Sequence, residues 1–596
     1  MSKLTRSEKK IYLLQIKIDK VVNLRWLLFF LTVMSLFFYW GQYQTPLFYL
    51  VLTALFVLFT ASSVLLSSLD KRITSWRQYL RLVTIEENRR NLNWEKLPPY
   101  RTPELEGGEL DLITATDLHL IGEYSALHLM DSCISDFGQK TLVSHLLANE
   151  PLEKIQARQK KIKELLPLSI FRMKFKLLGN LHSNNLINRE GLLSSFGDKI
   201  FKKKFFSIFT LLVIVQVINA ALIFGAILGL VKPYFLINSL VILLIYQLLK
   251  NQSDNAFDVG LKLQISLERL IPVFQMMERL PIKPEDALFE EHAAFSENPP
   301  TRLLQKINTV VALLSVSANP LLKLILNILL PWDFGLLIIL ESLKAKHYPN
   351  LKFWLNSLGK FEALVSLADY SGNIGGKFPE FISREAPVYL EVVDLDHPLM
   401  GREKRISNSF VMSKDSPIGL ITGSNMAGKS TFLRTVGLNI ALAKAGTTVL
   451  AGKFVLQNLT VMSLIKAQDF LEKEMSLFYF EVKRIKEILS KGLEATNENP
   501  FLFLVDEIYR GTNNQERYQG AVAYLKAFSA VPHSCGLLTT HDINIAKDLL
   551  QTPAINQYHF SEVFRDGALH YDYKINPGIC ETTNALRIME KEGLPT

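Results

Sequence analysis

Hydrophobic positions along this 596-residue chain fall into runs of two different lengths. Four runs are long and free of charge, and they form two pairs, residues 26–40 with 46–66 and residues 205–231 with 233–249. A helix needs about 20 apolar residues to cross the hydrocarbon core of a bilayer. The pattern therefore predicts two helical hairpins, or about four transmembrane helices. The alternative for each pair is a set of buried helices in a water-soluble fold.

Basic residues flank both hairpins and indicate their orientation. They lie before and after the first hairpin and before the second, and they are Lys3, Arg6, Lys9, Lys10, Lys17, Lys20, Arg25, Lys71, Arg72, Arg77, Arg81, Lys199, Lys202, Lys203 and Lys204. Because positively charged flanks stay on the cytoplasmic side, we expect both hairpins to enter the membrane from the cytoplasm and return. The sequence thus predicts a multi-pass protein of the cell (inner) membrane. The long basic region without a small-residue cleavage site argues against a cleavable signal peptide.

A further apolar run, residues 321–340, does not fit a fifth span. It contains Lys323, Asn327, Pro331 and Asp333, and ionisable residues are costly inside a bilayer. An odd number of spans would also place the nucleotide loop described below outside the cell. We predict a buried or interfacial helix pair that is broken at Pro331.

Three shorter apolar runs, residues 418–422, 501–505 and 536–540, are typical of parallel strands that are covered on both faces. A helix-like run comes shortly after the first of these strands. The segment that joins the strand to this run fits the phosphate-binding loop at every fixed position. Backbone N–H groups of such a loop bind phosphate oxygens, a lysine reaches the β- and γ-phosphates, and a hydroxyl binds Mg²⁺. The segment therefore predicts a site for ATP and Mg²⁺, formed by Gly423, Ser424, Asn425, Met426, Ala427, Gly428, Lys429, Ser430 and Thr431.

The other two apolar runs end on polar side chains that suit hydrolysis. The second run delivers Asp506 and Glu507, and the third is followed by His541. Ligands of open α/β sheets lie at the carboxyl ends of the strands. We therefore predict that Asp506, together with Ser430, holds Mg²⁺ and that Glu507 orients or deprotonates the attacking water. His541 is predicted to contact the γ-phosphate or that water, so the catalytic residues are Glu507, His541 and Lys429.

Four segments together resemble the ATPase signature of the MutS family of mismatch-repair proteins. They are Thr422-Gly-Ser-Asn-Met-Ala-Gly-Lys-Ser-Thr431, Ser476-Leu-Phe-Tyr-Phe-Glu481, Asp506-Glu-Ile-Tyr-Arg-Gly-Thr512 and Thr540-His541. His397-Pro398 and residues 573–595 are similar to the beginning and the end of the same domain. Segments between 111 and 159 and between 354 and 368 resemble the helical core and lever domain of that family. The resemblance covers most of residues 106–596.

This resemblance implies a fold class and a set of partners. The expected fold is an α/β P-loop NTPase domain of the ABC/MutS type at residues 386–596, preceded by an all-α core and lever domain at residues 106–385. The second hairpin interrupts the lever domain, and residues 1–105 carry the basic segment and the first hairpin. A homodimer through the ATPase domains is implied, in which Ser476 reaches the nucleotide of the other subunit. Phe410 lies where a residue that stacks on adenine is expected, and Tyr573 is a second stacking candidate.

The sequence also departs from the family. The first hundred or so residues hold a hairpin where mismatch-detecting members carry a domain with a Phe-x-Glu wedge, so direct mismatch sensing is not expected. The second hairpin lies in the lever region, where the DNA-clamping arm would branch off. Tyr509 replaces a family glycine, and residues 513–519 are longer than the usual linker before Gly520.

Charge and cysteine content narrow the setting. The net charge of +9 and the pI near 9.1 suit phosphate binding, although the hairpin flanks account for much of the surplus. A helix carrying the best basic patch would bind DNA or anionic lipid headgroups, and the patch is Lys160, Lys161, Lys163, Arg172, Lys174 and Lys176. The cysteines 133, 535 and 580 lack metal-ligand spacing and fit a reducing cytoplasm.

The sequence thus predicts an ATP-binding and ATP-hydrolysing MutS-like protein that is anchored on the cytoplasmic face of the membrane. Its predicted partner is double-stranded or branched DNA, in mismatch repair or recombination. One alternative is a membrane-bound, ATP-dependent scaffold that does not bind DNA. Another is a transporter-like ATPase, but an ABC exporter needs a Leu-Ser-Gly-Gly-Gln segment shortly before Asp506, and residues 481–500 contain nothing similar.

Overall fold

The computed structural model describes residues 3–38, 46–104, 111–181, 185–197, 205–424, 426–465, 477–509, 512–565 and 568–579. The helices within these ranges are α1 (Lys3–Phe38), α2 (Pro46–Arg90), α3 (Leu112–Asp117), α4 (Ala126–Met130), α5 (Asp136–Leu147), α6 (Leu152–Leu165), α7 (Ser169–Asn180), α8 (Arg189–Gly197), α9 (Phe205–Ile227), α10 (Phe235–Glu278), α11 (Phe289–Ser296), α12 (Thr301–Ser315), α13 (Pro320–Leu329), α14 (Trp332–Ile374), α15 (Lys429–Lys444), α16 (Leu477–Leu493), α17 (Asn514–Ser529) and α18 (Ile543–Asp548).

The strands are β1 (Glu380–Phe381), β2 (Val388–Leu395), β3 (Asn408–Ser413), β4 (Ile418–Thr422), β5 (Lys453–Leu456), β6 (Thr460–Leu464), β7 (Phe501–Asp506), β8 (Ser534–Thr540), β9 (Ile555–Arg565) and β10 (Ala568–Pro577). They form a four-stranded sheet with the order β1-β5-β2-β3 and a six-stranded sheet with the order β10-β9-β4-β8-β7-β6. The three predicted short strands are confirmed as β4, β7 and β8.

The chain divides into two compact units. A helical unit contains residues 1–87, 134–137 and 170–359, and a sheet-containing unit contains residues 88–133, 138–169 and 360–596. The predicted boundaries at residues 105 and 385 do not match this division. Residues that the sequence assigned to the helical lever domain, including 111–133 and 360–385, pack in the sheet-containing unit.

The six-stranded sheet is built for burial on both faces. In it β4 pairs in parallel with β8 and β9, β8 pairs with β7, and β7 pairs with β6. Every residue of β4, β7 and β8 is buried, which explains their continuous apolar sequences. The ring of Phe503 lies 4.3 Å from that of Phe528 on α17. A Cβ atom at Gly536 would lie 2.1 Å from the Phe503 ring, so the neighbouring strand needs a glycine at that position.

Helix α3 covers the edge strand β6. The backbone N–H of Ser463 donates to Oγ1 of Thr114 at 2.8 Å, and the N–H of Ile465 donates to Oδ2 of Asp117 at 2.8 Å. Exposed strand edges offer unpaired backbone groups to other chains, and these side chains occupy two of them. The segment that resembles the start of the lever domain is therefore an integral part of the sheet-containing unit.

Long apolar helices characterise the helical unit. Three helices among the described residues are long and apolar enough to cross a membrane: Thr5–Phe37, Phe48–Arg90 and Phe206–Ile227. The apolar helix Phe235–Gln247, in the region of the fourth predicted span, is shorter. Both hairpin pairs are helical as predicted, but α2 and α10 continue far beyond their apolar parts. The residues that join α1 to α2 lie outside the described ranges, and the count of four spans stays a prediction.

The apolar run at residues 321–340 is divided as its proline predicts. Helix α13 ends at Leu329 and α14 begins at Trp332, so the break at Pro331 is confirmed. The two helices of the pair differ in burial, because Phe334, Leu337 and Leu340 of α14 are buried, whereas α13 exposes most of its large apolar side chains and buries Asn327.

Candidate active site

The site lies where three parallel strands end side by side. The last residue of β4, Thr422, pairs with Thr540 at the end of β8, and Thr539 pairs with Asp506 at the end of β7. The predicted nucleotide loop follows β4, Glu507 follows β7, and His541 follows β8. Adjacent carboxyl ends thus bring together side chains from three separate segments of the sequence.

Two glycines give the loop its shape. Gly423 and Gly428 have φ angles of 149° and 101°, values that residues other than glycine rarely adopt. Gly428 is the N-cap of α15, whose first helical residue is Lys429. The first backbone N–H groups of a helix lack partners within the helix and carry a partial positive charge. The loop and α15 therefore direct N–H groups toward an anion.

Lys429 supplies the positive charge at this position. Its buried ammonium donates to the carbonyl oxygens of Gly423 and Ser424 at 2.8 and 2.9 Å. The same nitrogen lies 3.9 Å from Oε1 of Glu507. The lysine thus lies between the loop and Glu507 at the end of β7. A transferred phosphate group would bind in the same place.

Oxygen ligands for a divalent cation meet beside the lysine. The Ser430 hydroxyl donates to Oδ2 of Asp506 at 2.7 Å, and the Thr539 hydroxyl donates to Oδ1 of the same carboxylate at 2.5 Å. Mg²⁺ prefers oxygen ligands and is usually held by one or two protein groups together with substrate phosphates and water. Ser430 and Asp506 fit a Mg²⁺ site that the nucleotide completes.

Glu507 and His541 lie in contact with each other on the other side of Lys429. Nδ1 of His541 lies 3.3 Å from Oε1 of Glu507. Glu507 has a φ angle of 52°, and its N–H donates to the backbone oxygen of Thr539 at 3.2 Å. A non-glycine residue in this left-handed region is held there by its surroundings. The turn after β7 therefore directs the Glu507 carboxylate toward both Lys429 and His541.

A cavity of about 920 Å³ opens from these residues. The sequence predicted the residues that line the loop end of this cavity but missed most of the opposite end, which is lined by residues including His397, Met400, Arg405, Ile406 and Asn408. These residues surround the beginning of β3 and lack a fixed spacing to the loop. The motif His397-Pro398 was the one signal in the sequence that pointed to this region.

His397 lines the cavity as a neutral imidazole. Burial lowers the pKa of His397 to about 4, and the nearby charges of Arg434 and Arg405 add to this effect. Its Nδ1 accepts a hydrogen bond from the N–H of Leu399 at 3.2 Å. A neutral ring that accepts at Nδ1 carries its proton on Nε2. His397 can therefore donate one hydrogen bond to a ligand without adding charge.

Comparison with known proteins agrees with this geometry. Residues 419–596 match the MutS domain V family. These residues therefore form a domain of the MutS family.

Similarity to individual MutS relatives is limited in extent. DNA mismatch repair protein MSH3 of Candida glabrata is 26% identical over 270 residues, which are 42% of this chain and 25% of that protein. DNA mismatch repair protein MutS of Chloroflexus aurantiacus is 27% identical over 258 residues, which are 42% of this chain and 26% of that protein, and the values are the same in a second strain. The chain spans about a quarter of the length of the curated relatives it matches.

The two aromatic candidates of the MutS domain differ in position. Tyr573 lines the cavity, and its ring lies 3.1 Å from the position of a Cβ atom on Gly428. The side chain of Asn408 fixes this tyrosine by donating to the Tyr573 carbonyl at 3.1 Å and accepting from the N–H of Ile575 at 2.8 Å. Phe410 is instead buried, edge-to-face with Phe432 at 5.2 Å, and is not among the lining residues. Phe410 therefore packs in the core, and the prediction that it stacks on adenine is wrong.

Two predicted site residues, Asn425 and Ser476, lie outside the described residues. The neighbouring Phe478 and Glu481 are described, and the ring of Phe478 lies 6.2 Å from that of Tyr509. Tyr509, the residue that replaces a family glycine, has a φ angle of 58°. Burial raises its pKa. A Cβ atom on Gly520 would lie 2.5 Å from the Tyr509 ring, so the ring rests directly on the backbone of α17.

The basic patch predicted from the sequence has fewer exposed residues than its six members suggest. Lys176 is buried and forms an ion pair with Glu86, and Arg172 is also buried. These two residues cannot present their charges to DNA or lipid in this structure. Among the remaining members, Lys160, Lys163 and Lys174 are exposed.

Proposed function

We propose that this MutS-family chain binds ATP with Mg²⁺ and hydrolyses it at the ends of β4, β7 and β8. The observation that supports this most strongly is the Ser430–Asp506 hydrogen bond, which lies in one cavity with Lys429 and Glu507, and Glu507 in turn contacts His541. A cavity of this volume is sufficient for a nucleotide.

Each residue has a defined task in this proposal. N–H groups of the loop and the ammonium of Lys429 bind the phosphates, and Ser430 and Asp506 hold Mg²⁺. The bound ion would neutralise phosphate charge. Glu507 orients the attacking water and accepts its proton, while His541 holds the Glu507 carboxylate or the γ-phosphate in position. Tyr573 and His397 contact the nucleoside part of ATP.

The larger assembly is also part of the proposal. A homodimer would place one subunit's Ser476 at the nucleotide of the other, and ATP turnover would move the helical regions between two states. DNA, double-stranded or branched, is the proposed ligand of those regions, in repair or recombination. The curated relatives are named as DNA mismatch repair proteins. The apolar helices α1, α2, α9 and α10 would anchor the chain in the cell membrane with the ATPase domain in the cytoplasm.

ATP turnover by the detergent-purified protein tests this function. It should be measured alone and with homoduplex, mismatched and branched DNA, at two salt concentrations, with Lys429→Ala as the blank. Stimulation by DNA that weakens at high salt is expected, because contacts with phosphates release counterions. Replacing Lys160, Lys163 and Lys174 by alanine should reduce the salt dependence if these residues contact DNA.

A membrane-bound ATP-dependent scaffold is the second candidate. Its support is the set of three helices long and apolar enough to span a membrane. Turnover that is equal to the basal rate with every DNA, combined with stimulation by lipid vesicles, would favour the scaffold over the DNA-dependent enzyme. Absence of turnover above the Lys429→Ala blank would contradict the enzyme and leave a scaffold that binds ATP without hydrolysing it.

A further inference from the structure

Helix α13 has an exposed apolar surface that is continuous with the proposed membrane anchor. Its large side chains are exposed rather than packed, and they are Leu321, Leu322, Leu324, Ile325 and Leu329. Its one buried position is Asn327. Helices of water-soluble proteins have the opposite arrangement, with the apolar stripe facing the core. This face requires an apolar environment outside the protein, and monomeric soluble proteins rarely leave such patches uncovered.

The partner helix α9 has the same inverted arrangement. Its most deeply buried positions include Gln216 and Asn219, whereas Ile214, Val217 and Phe224 are about half exposed or more. The Gln216 side chain donates to the backbone oxygen of Asn327 at 2.7 Å, so α9 and α13 are joined through polar groups. A groove of about 280 Å³, lined mainly by apolar side chains, runs between the two helices. The apolar surface of α13 therefore continues that of a helix long enough to span a bilayer.

The backbone breaks at both ends of α13 are satisfied from within the protein. At its start, Oδ1 of Asn319 accepts from the N–H groups of Leu321 and Leu322 at 3.0 and 3.3 Å. At its end, the N–H of Asp333 donates to Oδ1 of Asn327 at 3.1 Å. Irregular backbone is tolerated at membrane depth when its polar groups have partners in the protein. These breaks meet that requirement.

The Asp333 carboxylate is neutralised in the same way. Its oxygens accept from Oγ of Ser317 at 2.5 Å and from Nδ2 of Asn327 at 3.0 Å, and Nζ of Lys323 lies 3.8 Å away. Lys323 and Asp333, the charged residues that argue against a membrane-crossing helix here, are thus paired with each other. An apolar surface can therefore lie in lipid although the sequence contains an acid and a base.

Exposed positions on α12 change character toward α13. The helix bends into α13 by 106°. Its exposed residues are Arg302, Gln305, Lys306 and Thr309 at the beginning but Ala312 and Leu313 at the end, and Val316 follows. The change takes place over less than about 10 Å along the helix, at 1.5 Å per residue. Such a gradient indicates a boundary between water and lipid that crosses the second half of α12.

We propose that α13 is a re-entrant, lipid-embedded helix that enters the bilayer beside α9 without crossing it. At ten residues it is about 15 Å long, half of the hydrocarbon thickness. The occupant of its exposed face is therefore the acyl-chain region of the bilayer. This inference rests on the membrane anchoring proposed above. It adds α13 to the lipid-embedded helices, whereas the sequence predicted a buried or interfacial helix pair for residues 321–340.

Nitroxide labelling tests this placement in the full-length protein in lipid vesicles. Single cysteines replace Leu321 and Ile325 on α13, Phe224 on α9 and Leu493 on α16, in a background without the cysteines 133, 535 and 580. Leu493 is the matched control, because its exposed fraction of 66% equals that of Leu321. If that background fails to fold, the buried Cys133 and Cys535 can remain. Collisions with oxygen, which concentrates in lipid, are compared with collisions with a water-soluble nickel chelate.

Labels at positions 321 and 325 are expected to lose nickel collisions and keep oxygen collisions, as at position 224, while position 493 shows the reverse. Nickel accessibility at 321 and 325 equal to that at 493, with 224 still protected, would overturn the inference and leave the anchor intact. Nickel accessibility at 224 as well would overturn the proposed anchoring itself.

Discussion

Strand β7 and helix α9 are both continuous apolar segments, but the protein places them in opposite environments. All six residues of β7 are buried in the sheet, and the strand ends on the buried carboxylate Asp506. Helix α9 exposes its apolar side chains and buries Gln216 and Asn219. An apolar run therefore defines a surface that avoids water. Protein covers this surface in β7, and under the membrane anchoring proposed above lipid would cover it in α9. The following predictions sharpen this comparison between the two regions.

Lys429→Ala should have the largest effect in the sheet-containing unit. The change removes a buried ammonium that lies within 4 Å of Glu507 and two loop carbonyls, and removing one partner of a buried charge pair costs about 2–5 kcal/mol. ATP affinity, measured by calorimetry, should fall about 100-fold or more. Lys453→Ala is the control, because this exposed lysine at the start of β5 forms an ion pair with Glu391 on β2. Intact ATP affinity in Lys429→Ala would remove the loop from the nucleotide site.

Glu507→Gln should stop hydrolysis while preserving ATP binding. The amide keeps the shape of the side chain but cannot accept a proton from water, so turnover should fall about 10²- to 10⁴-fold. The trapped ATP should also increase the dimer fraction seen by size-exclusion chromatography with light scattering. Glu498→Gln, which alters an exposed ion pair with Arg384, should leave turnover unchanged. Normal turnover in Glu507→Gln would assign the base to another residue.

Phenylalanine truncation compares the two environments directly. Phe503→Ala on β7 removes a fully buried ring that contacts Phe528, and such changes cost about 3–5 kcal/mol. Phe224→Ala on α9 removes a ring that is 63% exposed, and its cost should stay within about 0.5 kcal/mol in detergent. The midpoints of thermal unfolding in micelles measure the difference. Equal losses in the two variants would mean that protein, not lipid, covers α9.

The sequence predicted the residues at the loop end of the cavity because the loop residues occur at a fixed spacing. Gly428, Lys429 and Ser430 follow a strand directly, and the strand ends bearing Asp506 and His541 are adjacent wherever such a sheet forms. Ile406, in the loop before β3, and Asn408, the first residue of β3, also line the cavity, and no local sequence pattern marks them. Phe410 was misassigned because strand alternation decides whether a ring faces the core or a ligand, and a β-bulge on the pairing partner shifts that register.

In the helical unit, hydropathy predicted that helices form but not where they face. Asn327 and Asp333 were read as costs that keep the run at residues 321–340 out of lipid. The structure pairs them with each other and with Ser317, which removes the cost. The division into units was also beyond the sequence, because α3 joins the sheet through Thr114 and Asp117 contacts with β6 that are almost 350 residues apart.

The smallest effect concerns Tyr509, at the place where this chain departs from its family. Gly520→Ala would put a Cβ atom 2.5 Å from the Tyr509 ring, and overpacking of this kind costs about 1–3 kcal/mol. Tyr509→Gly should cost little, because loss of the half-buried ring is offset by relief of the left-handed backbone, which is worth about 1–2 kcal/mol. The double variant should therefore be more stable than Gly520→Ala alone. A double-mutant cycle of thermal unfolding and ATP turnover measures this coupling. Strictly additive losses would show that Tyr509 does not rest on α17, and that the turn carrying Glu507 is held by other contacts.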